Sequence, residues 1–390
     1  MAQQATAFEL VRNALRSGGI PAALEQLENQ LRLERKYHEL FEVLKMRARH
    51  RAGLPLLYTD PPDPMPDEQR QLLEDGLLAA CREVGLLLLE SGAVREGWIY
   101  LRPVGDMRLA REALARVAVT DANVDELVEV LLHEGVDTER GFRLVLEKYG
   151  TCSAITSYDT VVAQRSKKER QQAAALLVEQ LHRELLESLR HDIQRQQGVM
   201  PSETTIAELV ADRDWLFGEF AYHVDTTHLA SVMRCARVLD DRRHVELARD
   251  MAEYGLRLSP QFQYRSEEPF AETYPAHALW FDALLGRRVD EALDYFRRKA
   301  EELSVDQHGA LPRETWIDLL VRVGRPAEAL REALRLLPEA GPTTGVAPSL
   351  WELGALAGDF GPIIDYYRQA GNLLGYATGL LCAETRGDGK

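Results

Sequence analysis

Apolar residues recur every three or four positions along most of this chain, and that period predicts helices. Phe8, Leu10, Val11 and Leu15 mark a first helix, which Gly18-Gly19 closes. Pro21 opens the next, where the missing proline amide costs least, and Ala23, Leu24, Leu27 and Leu31 continue it. Leu40, Phe41, Leu44 and Met46 mark a third over residues 37–51. Short gaps make such helices antiparallel neighbours. Pro55, Pro61, Pro62, Pro64 and Pro66 then interrupt the pattern. Proline fixes φ and removes an amide donor, so no helix is expected to cross residues 54–67.

Beyond this break the helical period resumes. Leu72, Leu73, Leu77, Leu78, Cys81 and Val84 lie on one helix over residues 67–90, and shorter helices follow over 94–101 and 107–118. A hairpin over 123–133 and 137–149 has Gly135 and Gly150 where helix C-termini favour a left-handed residue. The segment TCSAITSYDT, Thr151 to Thr160, is short-chained and rich in hydroxyls. Leu177, Leu181, Leu185, Leu189 and Ile193 then form the seam of one long helix over 166–197. At about 1.5 Å per residue it spans roughly 48 Å, a length that suits a brace better than a repeat unit. Residues 198–202 break the chain again. No segment alternates with period two over a useful length, so an all-α fold is expected.

The stretch from Ala221 to Pro260 reads as a helix-turn-helix unit, with the small Ala248 in its second helix and a proline twelve residues later. Glycine then marks a recurring turn at Gly286, Gly324 and Gly358, spaced 38 and 34 residues apart. An amphipathic helix follows each turn: DEALDYF from Asp290, AEAL from Ala327 and PIIDYY from Pro362. In this period and in these small-residue and proline positions the chain resembles the tetratricopeptide repeat, over residues 221–384 in about four units. The resemblance implies a right-handed α-solenoid of antiparallel helix hairpins, here with one long bracing helix, and a concave groove that holds a peptide or protein. The expected organisation is N-terminal hairpins over 1–53, a proline-rich linker over 54–67 and a central helical region over 68–200. Repeats follow over 201–384, with a disordered tail over 385–390.

Composition narrows the class. The chain has 390 residues, 45% of them hydrophobic and 28% charged, enough for more than one core. A formal net charge of −15 argues against nucleic-acid binding through the whole surface. Two basic clusters, Lys45 to Arg51 and Arg165 to Arg170, read as solvated helix faces. Four cysteines, far apart and without a CxxC pair, suit a reducing cytoplasm. The N-terminal segment reads as an amphipathic helix rather than a signal peptide, and the longest apolar run, Val84 to Leu89, is too short for a bilayer. A cytoplasmic protein without membrane contact is expected.

Two polar groupings are candidate sites. The first is His223, Asp225 and His228. Asp225 precedes a helix and can cap the amides of Thr227 and His228 without any further role. The alternative is a divalent-metal site, completed in space by His133 or another distant ligand, because such a site needs three or four groups. The second grouping is Thr151, Ser153, Tyr158 and Asp159, which with His228 and Arg234 would line a peptide-binding groove. Cys152 lacks the signature of a nucleophile, and His277 and Trp280 sit at spacing for core packing. No phosphate-binding loop, dinucleotide fingerprint, nucleophile elbow or HExxH helix occurs. The expected function is therefore a non-enzymatic interaction or scaffold module for a protein or peptide, with no cofactor. The alternative is a metal-dependent or small-molecule site between residues 130–160 and 219–231.

Overall fold

A computed structural model describes residues 2–57, 65–337 and 341–387. Among them the fold is all-helical, with nineteen α-helices and no strand beyond an isolated bridge between Arg265 and Glu272. No helix is long and apolar enough to cross a membrane among the described residues. The chain divides into two compact units, Met1–Lys148 and Tyr149–Lys390.

The first unit contains α1 (Ala2–Leu33), α2 (Tyr37–Arg51), α3 (Asp67–Glu90), α4 (Val94–Leu101), α5 (Met107–Ala115), α6 (Val124–Val128) and the first arm of α7 (Thr138–Thr160). Gly19, at φ +68° and ψ −161°, breaks α1 into two helical arms where the stop at Gly18-Gly19 is expected. Helices α1 to α4 pack in sequence order. Leu24, Leu31, Leu40, Val43, Leu44, Ala80, Val84 and Leu88 form their core. Of the proline-rich linker, Pro61, Pro62 and Pro64 lie outside the described residues, and Pro66 directly precedes α3. A π-helical turn over Glu129–His133 follows α6.

The second unit begins where α7 bends at Gly150, φ +81° and ψ 179°. It continues through α8 (Lys167–Gln197), α9 (Ile206–Val210), α10 (Thr226–Ala236), α11 (Arg242–Arg257), α12 (Thr273–Leu284), α13 (Val289–Glu302) and α14 (Val305–His308). The C-terminal part holds α15 (Leu311–Arg322), α16 (Pro326–Leu336), α17 (Leu350–Ala357), α18 (Gly361–Gln369) and α19 (Leu373–Gly387). Helix α8 starts with a capping box: Ser166 Oγ accepts from the Glu169 amide, and the Glu169 carboxylate accepts from the Ser166 amide. Its leucine seam is almost fully buried against α10 and α11.

The glycines of the recurring turn all take left-handed backbone, with φ +78° at Gly286, +82° at Gly324 and +71° at Gly358, a conformation that costs other residues energy. Helices α11 and α12 approach closely at Gly255, where an added Cβ would stand 2.1 Å from the buried Tyr274 ring. Residues 385–387 of the expected tail continue α19, and 388–390 lie outside the described residues.

Candidate functional site

Five helices and two loops of the second unit bring basic and aromatic side chains together around a cavity of about 280 Å³, with Tyr158 of α7 among them. The first turn of α8, fixed by its capping box, supplies Lys167 and Arg170. The C-terminal end of α10 supplies Arg234, Cys235, Arg237 and Val238. Helix α12 supplies Trp280, and the loop before it supplies Phe270. Helix α15 contributes Leu311, Thr315, Asp318 and Arg322, whose spacing of four, three and four residues is one helix face.

The loop over 341–349 closes one side because Glu314 holds it. This fully buried carboxylate accepts from the amides of Thr343 at 2.6 Å and Thr344 at 2.8 Å, and from the Thr344 hydroxyl at 2.5 Å. The anchored loop places the Gly345 carbonyl 3.3 Å from the Arg170 guanidinium, which donates to it, and sets Val346 in the wall.

The five cations differ in how their charge is met. Arg234 holds Asp159 through two hydrogen bonds of 2.7 and 2.9 Å, and that carboxylate raises the Arg234 pKa above its ordinary value. Lys167 lies 3.1 Å from Asp240. Arg322 lies 2.9 Å from Asp240 and 3.6 Å from Asp318, and also donates to the carbonyls of Arg237 and Leu239. Arg170 and Arg237 contact no carboxylate among the described residues.

Arg237 lies over the Phe270 ring, its guanidinium carbon 3.8 Å from the centroid, and its Nε–H donates to His277 Nε2 at 2.8 Å. His277 is fully buried and its Nδ1–H donates to the Thr273 carbonyl. Both ring nitrogens are thereby assigned to one neutral tautomer. Burial, and then the adjacent Arg237 charge, push the His277 pKa well below its ordinary value. Burial, and then the Arg234 charge, bring Arg237 itself down to about 9. Burial likewise pushes the Cys235 thiol up to about 12, so it stays protonated at neutral pH. A cavity rich in donors and positive charge, with its one thiol inert, is equipped to bind an acidic group.

Three of the residues expected from sequence meet here. Tyr158 and Arg234 line the cavity and Asp159 orients Arg234. Tyr158 is only 6% exposed, which makes it an inner wall rather than an open surface. Thr151 instead turns to α8, donating to Glu184 at 3.1 Å, and Ser153 is half-buried on the same helical arm.

The histidine grouping does not assemble. Tyr254 Oη accepts from the His223 amide at 2.9 Å and lies 3.0 Å from His223 Nδ1, to which its own proton is directed. His223 Nε2–H then faces Asp192 at 3.4 Å, so neither ring nitrogen keeps a free lone pair. Burial lowers the His223 pKa against the opposing influence of Asp192. Asp225 caps α10 as its position allows, accepting from Thr227 at 2.8 Å and His228 at 3.1 Å. The His228 ring is half-buried in the first turn, and His133 is exposed on the π-turn of the first unit. Among the described residues no three His, Cys, Asp or Glu side chains gather as metal ligands.

Sequence reasoning missed Arg170, Arg237, Phe270, Asp318 and Arg322. The only local signal was Arg234-Cys-Ala-Arg237, two arginines one turn apart at the end of an apolar helix. The sequence matches no family model, and no similar curated protein or solved structure was found.

Proposed function

We propose that the second unit is a tetratricopeptide-like, right-handed array of helix hairpins that works as a non-enzymatic binding module. Its partner is a protein or peptide, and the cavity seats an acidic group of that partner. The observation that carries this reading is charge. Five cations converge on one cavity in a chain whose formal net charge is −15, and two of them have no carboxylate of their own among the described residues. Both guanidinium groups are half-buried, and a charge drawn partly out of water without a contacting carboxylate gains from an anion that completes the site.

Packing supports the architecture. Successive pairs α11 with α12, α15 with α16, and α18 with α19 are neighbours. Small residues stand where backbones approach, as Gly255 does against Tyr274 and Gly354 against Phe360.

The test is affinity capture with the wild-type chain and with an Arg170→Gln/Arg237→Gln variant of unchanged helical circular dichroism. The wild type should retain a protein at near-equal stoichiometry and the variant should lose it. Equal recovery by both chains overturns the reading.

A further inference from the structure

We propose that the cavity beside Arg170, Arg237, Arg322 and Trp280 is a phosphate-monoester site, so that the acidic group it takes is a phosphoryl group rather than a carboxylate. The inference rests on the cavity being the seat of an acidic group and names its chemistry.

Unmet hydrogen-bond donors point to this first. Arg170 Nε, Arg322 Nε and Trp280 Nε1 are buried nitrogens without a partner among the described residues, and all three side chains line this one cavity. Buried donors are nearly always satisfied in folded proteins, and each one left open costs free energy. Trp280 is 2% exposed, so water at the outer surface does not serve its indole. All three orphan atoms are donors. The missing group is therefore an acceptor, and it must offer several lone pairs.

Charge points the same way. Asp159, Asp240 and Asp318 contact three of the five cations, while Arg170 and Arg237 touch no carboxylate among the described residues and Glu267 acts on Arg237 only from a distance. A carboxylate brings one negative charge, and would leave one of these two guanidinium charges unmatched. A phosphate diester also brings only one charge. A phosphate monoester carries roughly −1.5 to −2 near neutral pH and presents three strong acceptor oxygens, enough to meet both guanidinium groups and the indole together. Guanidinium groups pair with phosphate through parallel hydrogen bonds, and Arg237 commits its Nε to His277 and one long bond of a terminal nitrogen to Ser266 Oγ at 3.5 Å, which leaves its other terminal N–H groups for a ligand.

The wall limits what the phosphoryl group can be attached to. Phe270, Leu311, Val238 and Val346 give the cavity an apolar side beside its cations. About 280 Å³ is at the small end for a ligand pocket, room for a phosphoryl group and a single ring or short apolar stem. Such a group belongs either to a phosphorylated side chain of a protein or to a small free phosphate monoester. The two share their chemistry at this site.

Isothermal titration of the full chain near pH 7.5 tests the proposal with three probes: phenyl phosphate, benzoate and a short peptide with a central phosphotyrosine. Phenyl phosphate should bind once per chain and at least about tenfold more tightly than benzoate, as expected when a dianion meets paired guanidinium groups. Its affinity should fall as the pH is lowered through about 6, where the phosphoryl group loses its second charge. Arg170→Gln and Arg237→Gln should each weaken it, and Arg170→Lys should retain part of the affinity. Benzoate binding as tightly as phenyl phosphate overturns the phosphoryl assignment and leaves the acidic-partner reading standing. No heat from either anion overturns both. Tighter binding of the phosphopeptide supports a protein source. Binding of phenyl phosphate with exclusion of the peptide upholds the monoester site and overturns the peptide partner.

Discussion

The segment around His223 and the cavity around Arg237 both gather several polar side chains, yet they use them in opposite ways. At His223 every hydrogen-bonding atom is engaged. Tyr254, Asp192 and the ring of His223 satisfy one another, and Asp225 is taken up by the cap of Thr227 and His228. The His223 bonds tie the segment just before α10 to α11 and to the end of α8, so the cluster fastens the structure together. At Arg237 capacity stays open: among the described residues three buried donors lack partners and two guanidinium groups lack a carboxylate. Density of ligand-type residues in sequence is thus a poor guide to a site. What distinguishes a binding cavity is polar capacity left unfilled after the protein has satisfied itself.

Substitutions that separate stability from binding can break this contrast. The largest loss of stability is expected at the closed cluster. His223→Ala leaves the proton of the buried Tyr254 hydroxyl without its imidazole acceptor, though the backbone amide bond remains, and should cost about 1–3 kcal/mol by denaturant unfolding while leaving anion affinity unchanged. The same cluster shapes the response to pH. The folded chain holds His223 and His277 below the ordinary histidine value of 6.5, so the unfolded chain takes up protons that the folded chain refuses. Stability from both groups is present above pH 6.5 and is lost as the pH falls below it. His223→Ala should flatten part of that slope, and a slope identical to wild type would show that the ring is not held neutral. Next in size, Asp225→Ala removes the α10 cap and should cost about 1 kcal/mol, read as a lower denaturation midpoint, again with no effect on anion affinity.

Arg237→Gln should change stability least. It removes a buried charge without a carboxylate partner and keeps an amide within reach of His277, so its melting temperature should stay near wild type while anion binding is lost. A large drop in melting temperature with intact anion binding would make the cavity another structural cluster and erase the contrast.

Much of the helical layout was legible in the chain. Ser166 and Glu169 announce the start of α8, its leucine seam gives its buried face, and the glycines at 286, 324 and 358 sit in the left-handed turns that their spacing suggested. Such signals are local, written within one or two turns of chain. The candidate site was legible only in part. Tyr158, Asp159 and Arg234 could be singled out because their neighbours are unlike them, but their partnership crosses 75 residues.

Arg170 gave no such hint. In one dimension it belongs to a basic run that reads as a solvated face, and only the loop held by Glu314 shows that its first-turn position faces a cavity. Glu314 itself looks like an ordinary surface carboxylate in sequence and is fully buried in the fold. The metal alternative at His223 arose from the same limit. Spacing shows which atoms are near in the chain, and it does not show that Tyr254, some thirty residues away, has already claimed the imidazole.

The most direct measurement is a crystal structure of the protein grown with phenyl phosphate. One molecule is expected in the cavity of the second unit, its phosphoryl oxygens within hydrogen-bond distance of Arg170 and Arg237 and accepting from the Trp280 indole. An unoccupied cavity, with Arg170 and Arg237 turned to carboxylates of the chain itself, would contradict the assignment of an anion site.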